Sequence, residues 1–64
     1  MRFIATFGVI GRNSGKYVIV HASTETIAIS KMTDWFGSDW GMLYATEDGA
    51  GVTRWGLTLL REIS

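Results

Sequence analysis

"GRNSGKYVIVHA", residues 11–22, decides how the rest of the chain is read. A glycine-rich run ending in Gly-Lys suggests a phosphate-binding loop, whereas the same run between two strands is a hairpin turn. The phosphate loop needs G-x-x-x-x-G-K followed by Ser or Thr. Its backbone N–H groups cradle phosphates, the lysine reaches the outer ones and the hydroxyl holds magnesium. Here three residues, not four, separate Gly11 from Gly15, and Tyr17 follows Lys16 in place of Ser or Thr. "GRNSG" is made of turn formers, and "KYVIVHA" is β-branched and aromatic. The stretch is therefore expected to close a β-hairpin, with Gly15 at positive φ. Arg12, Asn13 and Lys16 stay available to an anion as ordinary loop side chains.

Upstream, "RFIATFGVI" (2–10) alternates, with Phe3, Ala5, Phe7 and Val9 on one face and Ile4, Thr6 and Ile10 on the other. That is strand periodicity. Downstream, "STETIAISKMTDWFG" (23–37) changes period, and Ala28, Met32, Trp35 and Phe36 form a helix stripe. Ser23 is expected to cap this helix, Glu25 suits its dipole and Gly37 ends it. "WGMLYAT" (40–46) reads as a third strand with Trp40, Met42 and Tyr44 on one side. "EDGAG" (47–51) reads as a loop. "GLTLLREI" (56–63) reads as a last strand with Leu57, Leu59 and Ile63 on one face.

The order β-β-α-β-β predicts a single α+β domain over residues 1–64, a mainly antiparallel sheet with one helix on one face. The first two strands carry apolar residues on both sides, Phe3/Ile4 and Val18/Ile19. The face away from the helix is thus expected either to be wrapped by loops and aromatics or to serve self-association or a partner.

A chain of 64 residues buries only ~60% of its unfolded surface, so its core is marginal. There is no cysteine, which removes disulfides and thiolate metal sites, and the lone His21 argues against a protein-built zinc site. Oligomerisation is the reinforcement left open, so a homo-oligomer is expected. Six basic and six acidic residues give zero formal net charge. That disfavours nucleic acid as a partner, because backbone binding needs a cationic surface. No apolar run approaches the ~20 residues of a membrane span. The first residues alternate like a strand and lack a small-residue cleavage site, so no signal peptide is expected. The lack of cysteine fits the cytoplasm.

Catalytic chemistry is not expected, nor is a cofactor. His21 in "HASTE" has only sequence neighbours for company, and a nucleophile–base pair needs an orienting third group. "EDG" (47–49) lacks the alternating oxygen ligands of a calcium loop. The aromatic residues Trp35, Phe36, Trp40, Tyr44 and Trp55 are shared between core and surface. "VTRWG" sets Arg54 beside Trp55, the two residue types most enriched where proteins bind. The candidate binding residues are Arg12, Lys16, Trp40, Arg54, Trp55 and Arg61.

Phe7-Gly8, "YVIVHA" (17–22), Phe36-Gly37, Trp40-Gly41-Met42-Leu43-Tyr44 and the terminal "GLTLLREI" together resemble a family of small proteins encoded by phages and prophages. That family more often has Ala and Phe where this chain has Gly41 and Met42. The resemblance implies an accessory protein of a phage or mobile element. Such a protein of this size acts by binding, since a small core does not easily hold a preorganised catalytic site. The expected function is to bind and inhibit a host protein of anti-phage defence in the host cytoplasm. An alternative is a homo-oligomeric sponge for a nucleotide second messenger, with Arg12, Lys16, Arg54 or Arg61 on phosphates. A third, disfavoured by charge, is a weak nucleic-acid-binding module.

Overall fold

The computed structural model describes residues 1–8 and 11–64. Arg2–Thr6 (β1) and Lys16–His21 (β2) pair antiparallel, from Arg2↔His21 to Thr6↔Tyr17. The connection closes by turn hydrogen bonds: Ser14 N–H donates to the Gly11 carbonyl at 3.3 Å, and Lys16 N–H to that of Asn13 at 3.1 Å. Gly15 has φ +82°, the left-handed value that glycine adopts without steric cost. The Gly-Lys run is therefore a hairpin turn followed by a strand, not by a helix. The outer part of the expected first strand, Val9 and Ile10, lies outside the described residues.

Met42–Tyr44 (β3) pairs antiparallel with the other side of β1, and Thr58–Ile63 (β4) runs parallel to β2. The sheet order is β3-β1-β2-β4, a mixed and mostly antiparallel sheet with one main helix, Glu25–Phe36 (α1). The α+β expectation holds, with the parallel β2–β4 pair as the addition.

Two helix boundaries differ from the sequence reading. The cap of α1 is Thr24, not Ser23. Thr24 is extended at φ −141° and ψ 163°, and its hydroxyl accepts the Ile27 N–H. "EDGAG" is not a plain loop. Thr46 caps a single helical turn, Glu47–Ala50 (α2), by accepting the Gly49 N–H at 2.9 Å, and Gly51 closes it at φ +76°. A Cβ on residue 51 would lie 2.5 Å from Cδ1 of Trp55, so the indole edge fills the space that glycine leaves.

Apolar residues pack on both sides of the sheet. On the α1 side Phe3, Ala5, Val18, Val20 and Ile63 meet Ala28 and Met32. On the other side Ile4 and Ile19 are covered by Ala50 of α2, with Tyr17, Tyr44 and Val52 packed around them. This explains why β1 and β2 are apolar on both faces: α2 and the turn after it wrap the second one. Arg2 fastens that cover, its guanidinium donating to the Glu47 carboxylate at 2.6 Å.

Three face assignments are corrected. Trp40 does not share a side with Met42 and Tyr44. It precedes β3 and packs against the α1-side core, while Tyr44 belongs to the opposite cluster. Leu59 and Ile63 do not share a face either. Leu59 pairs with Tyr17 and Arg61 with Val18, which leaves Leu60 as an extra residue in a bulge. One unpaired residue inverts the alternation, so Ile63 turns into the α1-side core and Leu59 stays at the exposed margin. Finally, Trp35 is no core residue: it is 54% exposed at the rim of the helix stripe.

Candidate binding surfaces

The hairpin connection separates two shallow clefts. One, about 380 Å³, is lined by Phe7, Arg12, Asn13, Asp39 and Trp40. Phe7 is positioned by the end of β1 and by an edge-to-face contact with Phe36, ring centroids 5.1 Å apart. Trp40 is held near it because the Gly41 N–H donates to the Thr6 carbonyl at 2.8 Å, laying the chain flush on β1. A Cβ at residue 41 would come within 3.4 Å of that same oxygen.

The other cleft, about 450 Å³, lies where Thr6, Lys16, Tyr44, Trp55 and Leu57 converge. Tyr44 comes from β3 and Lys16 opens β2. Trp55 comes from the turn after α2, whose backbone is fixed by Trp55 N–H to the Gly51 carbonyl at 2.8 Å and Leu57 N–H to that of Val52 at 2.9 Å. The indole itself is 71% exposed.

A third feature lies on the α1 side. The guanidinium of Arg61 sits 4.0 Å from the ring centre of Trp35, a cation–π contact between β4 and α1. It flanks the outer edge of β4, the last strand in the sheet order.

The six candidate residues are thus distributed, not gathered. Arg12 and Trp40 line the first cleft, Lys16 and Trp55 the second. Arg61 pairs with Trp35. Arg54 is exposed in the turn and lines neither cleft, although it is next to Trp55 in sequence. Trp35 and Tyr44 were missed as surface residues. Both sat on apolar stripes; Trp35 is 54% exposed, while Tyr44 is half-buried against the second cluster and also lines the second cleft.

At the opposite end of the sheet His21 Nε2 lies 2.5 Å from a Glu62 carboxylate oxygen, and Lys31 donates to the His21 carbonyl at 2.8 Å. These contacts bind the end of β2 to β4 and α1. Among the described residues no group of three or more His, Asp or Glu gathers at a distance suited to a metal ion. Among the described residues no helix is long and apolar enough to cross a membrane. Glu47 is held below the usual carboxylate range, chiefly by the hydrogen bond from Arg2, and Arg2 is correspondingly raised.

Compared with protein-family models, curated proteins and solved structures, the chain finds no significant match.

Proposed function

We propose that this chain is a non-enzymatic accessory protein, of the phage-borne kind that its sequence resembles, which binds and blocks a host protein in the host cytoplasm. The observation that carries the reading is the Trp35–Arg61 pair. A tryptophan 54% exposed is held open by a stacked arginine at 4.0 Å, so both side chains are ordered before a partner arrives. Preorganised Trp and Arg side chains lose little freedom on binding and dominate interface energetics. The outer edge of β4 runs beside this pair. That edge also suits a second copy of the chain, and we propose a homodimer joined there. A two-fold axis normal to the sheet runs two β4 strands antiparallel and keeps both α1 faces on one side.

Affinity capture from host lysate tests the reading, with wild type compared against Trp35→Ala and Arg61→Ala. A partner held by wild type should be weakened by ~2 kcal/mol in either variant, with the melting temperature nearly unchanged. Equal capture by all three proteins would remove the pair from the interface.

A further inference from the structure

We infer a second, independent site: the cleft formed by Trp55, Tyr44 and Lys16 is built to hold a small planar anion of the nucleoside monophosphate class, within one protomer. Its volume of about 450 Å³ falls in the ~300–1,000 Å³ range of small-ligand pockets. Three aromatic residues line it, Phe7, Tyr44 and Trp55, and Trp55 is mostly exposed. The indole is nevertheless placed: its pyrrole edge rests where residue 51 has no Cβ, and the turn that carries it is closed by backbone hydrogen bonds. An open, fixed tryptophan beside a tyrosine is a stacking platform for a base.

Charge supplies the second half of the argument. Arg2 is engaged by Glu47, Arg61 by Trp35 and Lys31 by a backbone carbonyl. Among the described residues Lys16 makes no ion pair, and no Asp or Glu lines its cleft. The neighbouring cleft, by contrast, carries Asp39 together with Arg12. A lysine with no ion pair among the residues that line an aromatic cleft attracts an anion joined to a ring system. Lys16 therefore meets a phosphate as a point charge on a strand, with no phosphate loop and no magnesium required. The site contains neither Trp35 nor Arg61, so it stands or falls apart from the protein-binding reading.

The test is titration of the ¹⁵N-labelled chain with AMP at low salt. The indole N–H of Trp55, identified by its loss in Trp55→Phe, and the amides of Gly15 and Lys16 should shift saturably while the Trp35 indole stays still. Lys16→Ala should weaken AMP about fivefold or more, and adenosine should bind wild type no better than AMP binds that variant. Tyr44→Leu should cost about tenfold. The assignment is overturned if the Trp55 indole does not move, or if Lys16→Ala leaves AMP binding intact. It is equally overturned if inorganic phosphate shifts the same signals at the same concentration as AMP, because the ring would then contribute nothing.

Discussion

Met32 and Trp55 are both large and apolar, and the fold treats them oppositely. Met32 is sealed between α1 and the sheet, so Met32→Ala leaves a cavity and should cost ~2–5 kcal/mol. Trp55 is mostly exposed, so Trp55→Ala should cost about 1 kcal/mol or less. Urea unfolding of the two variants checks both figures. Gly51→Ala should cost more than deleting the Trp55 ring. It forces a side chain into φ +76° and sets its Cβ 2.5 Å from the indole, with ~1–3 kcal/mol for the backbone alone. Adding Trp55→Ala to Gly51→Ala should return only the collision part of the loss, which a double-mutant cycle isolates. The helix stripe made Met32 legible in the sequence by its period alone. Sequence left Trp55 among aromatics shared between core and surface, because its contact with Gly51 depends on how the turn after α2 curls.

Helix ends and strand phase carry the next set of effects. Thr24→Ala removes the acceptor for the Ile27 N–H and should cost ~1 kcal/mol, whereas Ser23→Ala should stay within ~0.5 kcal/mol. Thermal melts of the two separate them. The sequence reading placed the cap at Ser23, and the extended backbone at Thr24 moves it one residue on. α2 is likewise short enough that its single turn has no period to read. Its attachment to β1 is pH-dependent. The Glu47 carboxyl is lowered by the Arg2 hydrogen bond from an ordinary value of 4.5, so the pair's contribution is complete above that ordinary value. It is lost as pH falls through the lowered one. Glu47→Gln should therefore flatten the acid limb of the stability curve below about pH 4.5, as followed by urea unfolding at a series of pH values. The bulge at Leu60 is the clearest limit on sequence reading: an alternating pattern predicts facing only while no residue is inserted, and nothing in "LTLLREI" marks the insertion.

At the scale of the molecule, two thin cores share one four-stranded sheet. Of the two alternatives left open for the second face, the wrapping one has a counterpart in the structure, where Ala50, Val52 and two tyrosines pack over Ile4 and Ile19. The α+β class was legible because three strand patterns and one helix pattern are long enough to show their period. The parallel placement of β4 beside β2 was not, since it depends on long-range pairing. For the homodimer proposed through β4, sedimentation equilibrium at micromolar concentration should give twice the chain mass of 7.1 kDa. Leu60→Pro, which removes a backbone donor in the bulge, should return a monomer. A monomer for the wild type would remove the dimer.

The pairing register also settles how the protein can be held. Arg2 lies opposite His21, and Ile63 pairs with Val20, so the first and last residues emerge at one end of the sheet, on strands separated only by β2. Two inter-strand spacings place them about 10 Å apart. Thr6, Lys16 and the hairpin turn, which line the clefts, lie at the other end. A tether on either terminus therefore orients the molecule the same way, with both clefts directed away from the support. A sensor chip coated through an N-terminal or a C-terminal tag should report the same ligand affinity.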